Sequence, residues 1–194
     1  MGNEHGHYMV MEYINADNSI QDKTLVEIGS TREIVSPQDS SKHFYNLSKK
    51  LKFKFITVDM NPENIYSLRD RFTDINAVHQ RGEDFLEGHN SIIDYLYLDA
   101  FDFMHDGHTA VRQKAYKDNL GTSINDHACH QMHLDCVKSA YKKITPNGYI
   151  IIDDCFGDNF ERGKGVTAIP FLLSNGYIID KKLSQCVALK NTRL

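Results

Sequence analysis

The sequence predicts an α/β protein: a doubly wound, Rossmann-like, mostly parallel seven-stranded sheet closed by a C-terminal antiparallel hairpin. Three observations carry that prediction. Short, nearly continuous apolar runs alternate with longer amphipathic ones, the pattern of parallel strands buried on both faces between helices. Most of the apolar runs end in an acid or a glycine, and such sheets bind ligands beyond the carboxyl ends of their strands. The last two runs stand too close together for a crossover and read as a hairpin.

In chain order, "TLVEIG" (24–29) is the first strand and "SKHFYNLSKKL" (41–51) a helix, with Phe44, Leu47 and Leu51 at helical spacing. "FKFITVDM" (53–60) is the second strand. "NPENIYSLRDRF" (61–72) opens a helix, with Asn61 as N-cap and Pro62 at the first helical position. "NAVHQRG" (76–82), "IDYLYLDA" (93–100) and "YIIIDD" (149–154) are strands three, four and five. Residues 101–125 read as an irregular lid with one helical stretch, too long for a simple crossover, followed by a helix over 126–144 that Pro146 and Gly148 stop. A glycine-rich loop, a helix over 165–176 and the strands "YIIDKKL" and "CVALKN" complete one domain spanning 1–194.

Composition narrows the function classes. Of 194 residues 41% are hydrophobic and 25% charged, which describes a globular chain with one good core. The net charge of −4 gives no bulk attraction to nucleic acid or anionic lipid, and the basic run "KKLKFK" (49–54) reads as a solvated helix end. Four scattered cysteines without CxxC spacing suit a reducing compartment. The amino terminus has no apolar signal region, and Gly6 stands where a myristoylation signal at Gly2 wants Ser or Thr. No apolar run is long enough to span a membrane. The expectation is a cytoplasmic protein that acts on a small molecule and binds neither nucleic acid nor membrane; a homodimer is left open.

The strand ends hold the candidate chemistry. "EIGST" (27–31) places a glycine at the first turn, where a ligand can approach the backbone, yet it is neither GxGxxG nor a P-loop. Asp59 ends strand two, the position from which a carboxylate accepts hydrogen bonds from ribose hydroxyls. "RGEDFL" (81–86) offers Glu83 or Asp84 to an exocyclic amine. Taken singly, each acid reads equally well as a helix cap or first-turn charge. Together they outline a site suited to a nucleoside and poor for phosphate.

The series "VEIGST", "FITVDMNP", "RGEDFL", "YLYLDA", "GYIIIDD" and a closing hairpin resembles the class I S-adenosylmethionine-dependent methyltransferases, from about residue 24 to the end. The resemblance implies that Glu27, Gly29 and Ser30 face the methionine part of S-adenosylmethionine. It implies that Asp59 holds the ribose, that Glu83 or Asp84 meets the adenine and that Asp99 touches the cofactor. Thr31 departs from the pattern, standing where the usual GxG turn has its second glycine.

In that family strands four and five are adjacent, which would bring Asp99, Asp153 and Asp154 together. Such oxygen-rich ligation suits a hard divalent cation, Mg²⁺ above all. The arrangement is similar to the divalent-metal-dependent O-methyltransferases of the catechol type, and its Asp-Asp pair to the sugar O-methyltransferases of antibiotic pathways. The cation would lower the pKa of a bound hydroxyl. No lysine stands just after Asp99, in "DAFDFMHDGH", where the catechol-type family has a catalytic one. His105 or His108 is therefore the expected base, with His130 as the runner-up. Arg162 and Lys164 either bind an anionic substrate or complement the acid-rich rim.

The expected function is metal-assisted O-methylation of a small-molecule hydroxyl. Two alternatives belong to other classes: a metal-dependent hydrolase or oxygenase built on the Asp and His clusters, and a non-catalytic nucleoside-binding protein on the same fold.

Overall fold

The computed structural model describes residues 5–32, 38–183 and 185–193; Gly2 and the middle of the loop expected over 31–41 lie outside them. The chain begins with helix α1 (Gly6–Ala16) and a 3₁₀ turn at Ile20–Asp22. Strand β1 (Thr24–Ile28), helix α2 (Ser40–Leu51), strand β2 (Lys54–Asp59) and helix α3 (Pro62–Arg71) follow. Next come β3 (Asn76–His79), α4 (Gly82–Gly88), β4 (Ile93–Leu98), α5 (Ala110–Leu120), α6 (Asp126–Ala140) and β5 (Ile144–Asp153). The chain closes with a small hairpin of β6 (Cys155–Phe156) and β7 (Arg162–Gly163), then α7 (Ala168–Leu173), β8 (Tyr177–Lys182) and β9 (Cys186–Asn191).

Seven strands form one sheet in the order β3-β2-β1-β4-β5-β9-β8. The pairs β1–β2, β1–β4, β2–β3 and β4–β5 are parallel, and β9 runs antiparallel to β5 and β8. Side chains alternate across a strand, and here residue parity sorts the core into two layers. Val26, Ile28, Leu96, Leu98, Ile150 and Ile152 pack with Leu86 of α4, Val137 of α6 and Leu172 of α7. Leu25, Tyr95, Tyr97 and Ile151 face the other way, against Met9, Val10 and Ile14 of α1 and Phe44 and Leu47 of α2. Each fully buried aliphatic side chain contributes about 1.5–3 kcal/mol. Glu27, Tyr97 and Asp153 share odd parity, so the sheet aims all three at the α1/α2 layer.

Helix ends follow local rules. Asn61 accepts from the Glu63 amide at 3.0 Å with Pro62 beside it, and Asn125 accepts from Ala128 at 2.8 Å. The structure differs from the sequence-based expectation at α1, α4, α6 and β5. Helices α1 and α4 form where no helix was expected. Helix α6 ends at Ala140, and β5 starts at Ile144 with a register shift opposite Ile93 and Tyr95. The lid expected over 101–125 carries one regular helix, α5, capped by the Thr109 hydroxyl accepting from the Arg112 amide at 3.2 Å. No helix among the described residues is long and apolar enough to cross a membrane.

Candidate functional site

A cavity of about 120 Å³ lies beyond the carboxyl ends of β1, β2, β3 and β4. Its floor is Ile28, Gly29 and Ser30 after β1 and Val58 to Asn61 after β2. One wall is Arg81, Gly82 and Glu83 at the start of α4, and another is Asp99, Ala100 and Phe101 after β4. Helix α5 covers it with Arg112, Tyr116 and Leu120, and Met132 of α6 adds an apolar contact.

The turn at Gly29 is tightly built. Its backbone is left-handed at φ +94°, and a Cβ there would meet the Asp99 carbonyl oxygen at 2.3 Å. The Gly29 amide donates to Val58 O and the Asp99 amide to Ile28 O, both at 2.9 Å. The ends of β1, β2 and β4 are thus stitched together under the cleft. Asp59 holds the next part of the floor. Its Oδ2 accepts from the Ser30 amide and from Asn64 Nδ2, each at 3.0 Å, and its Oδ1 from the Asn61 amide at 2.7 Å. Burial pushes the Asp59 carboxyl up, while these donors hold it down. Glu83 accepts from Arg81 Nε at 2.8 Å.

Five of the residues expected to bind cofactor line the cavity: Gly29, Ser30, Asp59, Glu83 and Asp99. Two do not. Asp84 is exposed on the outer side of α4. Glu27 is fully buried on the opposite face of β1, where its carboxylate accepts from the hydroxyls of Ser40, Ser41 and Thr57 at 2.6–2.7 Å. Thr31 joins the same network, its amide donating to the Ser41 hydroxyl at 2.9 Å. Glu27 therefore ties the first turn of α2 to the loop after Gly29, supporting the cleft from behind.

Burial pushes the Glu27 carboxyl from 4.5 up to about 7, the three hydroxyls only partly offsetting it. Between those values the folded protein keeps a proton that the unfolded chain has released, so raising the pH favours unfolding. Glutamine at 27 does not titrate. The stability of the wild type relative to Glu27→Gln is therefore expected to fall as pH rises from 4.5 towards 7, where the folded-state carboxyl ionises. Denaturant unfolding of both proteins across that range measures it; a pH-independent difference would show that Glu27 titrates normally.

The lid is clamped by Asp102, a residue the sequence reading passed over. Its carboxylate takes Arg112 Nε and Nη2 at 2.7 Å each, Arg32 Nη1 at 3.0 Å and the Tyr116 hydroxyl at 2.8 Å. Burial works against its charge, but Arg32, Lys164 and Arg112 hold the carboxyl well below the usual range. This cluster joins the loop after β1, the segment after β4 and helix α5 over the cavity.

The expected metal ligands do not form a cation site. Asp153 Oδ2 accepts from the Gly6 amide at 3.0 Å and from the Tyr97 hydroxyl at 2.5 Å, under α1. Burial, then Asp99 and Asp154, push its carboxyl up to about 7. Asp99 and Asp154 instead share the ammonium of Lys164, which bonds Asp99 Oδ1 and lies 2.8 Å from Asp154 Oδ2. Among the described residues no group of three or more His, Cys, Asp or Glu side chains is placed to hold a metal ion. The residues present do not fit a divalent cation.

The histidines expected as bases do not reach the cavity lining. The His105 and His108 rings lie 3.8 Å apart, tilted by 40°, in the segment before α5, where His108 Nε2 bonds Phe103 O at 2.7 Å. His130 lies half-buried on α6, its carbonyl accepting from the Thr167 hydroxyl at 2.7 Å. Of the three histidines of α6, His127, His130 and His133, only His133 is fully buried, and burial lowers it to about 3, so it stays neutral.

No protein-family model and no curated protein matches the chain. Its structure is similar to that of NSun6 from Pyrococcus horikoshii with SFG, at TM-score 0.65 and 12% identity over 100% of this chain and 53% of that one. It is similar to N-methyltransferase NodS from Bradyrhizobium japonicum WM9 in complex with S-adenosyl-L-homocysteine, at TM-score 0.57 and 12% identity over 96% and 86% of the two chains. It is also similar to TrmN from Thermus thermophilus, at TM-score 0.52 and 8% identity over 95% and 48%. The chain thus spans about half the length of NSun6 and TrmN. At these identities the likeness establishes the architecture: the chain has the Rossmann-like methyltransferase fold.

Proposed function

We propose that this protein is an S-adenosylmethionine-dependent methyltransferase that methylates a small-molecule hydroxyl. The observation that carries the reading is the cleft itself, which gathers Gly29, Asp59, Glu83 and Asp99 from four successive strand ends under a helical lid. Those residues fit the donor. Asp59 Oδ1 accepts only one protein hydrogen bond and has capacity for a ribose hydroxyl. Glu83 is placed to accept from an exocyclic amine, and Ile28, Val58, Phe101 and Met132 offer apolar surface to a flat base. The fold shared with proteins solved with S-adenosyl-L-homocysteine supports the same assignment.

When bound, S-adenosylmethionine supplies a methyl group carried on a sulfonium. The chain's own part is to bind and orient. Asp59 and the Gly29 turn fix the position of the donor, and Asp99 accepts a hydrogen bond from the acceptor at the cleft's edge. Helix α5, held by the Asp102 clamp, keeps water out. No step runs through a divalent cation.

Calorimetric titration of S-adenosylmethionine into the protein tests the reading. Saturable one-to-one binding in the micromolar range is expected, and release of S-adenosylhomocysteine with an acceptor panel separates an enzyme from a nucleoside-binding protein. An absence of binding would overturn the proposal.

A further inference from the structure

Lys164 is an ammonium buried to 1% exposure at the ends of β4 and β5, inside the acid cluster where the sequence led to the expectation of a metal. It bonds Asp99 Oδ1 and Asp154 Oδ2. Both of those carboxylates remain about a third exposed, at 33%. The backbone delivers the lysine to that point. The β6–β7 hairpin folds the chain back so that the Lys164 amide donates to Asp154 O at 2.9 Å. Asp154 itself is left-handed at φ 49°. Gly163 has φ +85°, and a Cβ there would meet Asp154 O at 1.8 Å, so only glycine lets the strand pass this closely.

Asp153, the third acid, is committed elsewhere. Its Oδ2 takes the Gly6 amide and the Tyr97 hydroxyl, and its Oδ1 takes the Asp154 amide at 2.9 Å. Burial alone would push the Lys164 ammonium down, but Asp154, Asp99, Asp102 and Asp153 hold it well above the ordinary lysine value. Its ion pairs with Asp99 and Asp154 place a positive charge between the two carboxylates. A hard divalent ion held by these two carboxylates, with waters filling its shell, would have to occupy the point where the Lys164 ammonium already stands.

We propose that Lys164 is a built-in counter-cation that takes the place of a divalent metal between Asp99 and Asp154. It is a positioning residue: it holds Asp99 at the cleft's edge and makes donor binding independent of metal. The second clause rests on the donor reading of the cleft. The exclusion of metal stands without it.

The test is titration with Mn²⁺ alone, following the free ion by electron paramagnetic resonance, on the wild type, Lys164→Ala and Lys164→Met. The wild type is expected to take up no Mn²⁺ at this site. Lys164→Ala, which removes the charge and opens the space, should bind one Mn²⁺ at least about tenfold more tightly than the wild type. Lys164→Met, which fills the space without charge, should bind none. Stoichiometric Mn²⁺ uptake by the wild type would overturn the proposal whether or not the variants fold. So would a folded Lys164→Ala that gains no Mn²⁺. In parallel, the affinity of the wild type for S-adenosylmethionine should be the same with Mg²⁺ and with chelator, and a loss on chelation would count against metal independence. If the donor does not bind at all, the methyltransferase reading fails while the Mn²⁺ result still judges Lys164.

Discussion

Asp59→Ala is expected to weaken S-adenosylmethionine binding by about 100-fold, because a hydrogen bond to a charged acceptor contributes about 1.5–3 kcal/mol and every 1.4 kcal/mol is tenfold. The same carboxylate accepts from Ser30, Asn61 and Asn64, so the substitution also loosens the floor of the cleft. Asp59→Asn separates the two effects. It keeps one acceptor oxygen and most of the packing but turns an NH2 towards N–H donors that the second oxygen satisfied, so it should unfold between Asp59→Ala and the wild type while still binding the donor poorly. Calorimetry beside thermal unfolding reads both. Wild-type affinity in Asp59→Ala would remove Asp59 from the donor site.

Gly29→Ala should be among the most damaging single changes in the chain. Its Cβ would lie 2.3 Å from Asp99 O, 2.6 Å from Asp99 C and 2.7 Å from Ala100 Cα, all of them backbone. The ends of β1 and β4 would have to separate at the cleft, and alanine at φ +94° adds strain of its own. The expected cost is about 3–5 kcal/mol, the range of severe overpacking combined with backbone strain. Gly88→Ala is the control, since nothing lies within 4 Å of a Cβ placed there. Urea unfolding of both variants measures the contrast, and equal stabilities would mean that the turn relaxes freely.

The sheet was legible in the sequence because its strands are buried on both faces. Runs such as "TLVEI", "IDYLYL" and "YIIID" have no polar alternation to confuse with a surface strand. Helix α1 was not legible. It has no side-chain cap and no acid in its first turn, and it is held by the sheet through Met9, Val10 and Ile14. Helix α5 buries only Tyr116, so the helical stretch expected within 101–125 had no apolar stripe to fix its bounds.

At the site, residues whose role is fixed by their own strand end were readable: Gly29, Ser30, Asp59, Glu83 and Asp99 all reach the cleft. Residues whose surroundings depend on a distant partner could not be placed from their own strand end. Glu27 looked like a ligand because nothing local shows that Ser40 and Ser41 will cover it. The acid cluster looked like a metal site because its cation lies 65 residues from Asp99 in sequence, in a glycine-rich loop that reads as rim. The sequence did leave Lys164 open to complement the acid-rich rim, and the unbalanced charge of "IIIDD" called for a positive partner of some kind.

The contact between Gly6 and Asp153 also dictates when the molecule can be finished. Helix α1 is made well before its anchors, which lie far down the chain: Asp153 accepts the Gly6 amide across 147 positions, and Asp180 takes the Tyr13 hydroxyl. Closing so long a loop brings its reward only when the partner strand exists. At a synthesis rate of about 5–20 residues per second, α1 waits roughly 7–30 s for β5. Until then Met9, Val10 and Ile14 can lean only on the part of their layer already made, Leu25 of β1, Tyr95 and Tyr97 of β4 and Phe44 of α2, and α1 stays without its Asp153 anchor.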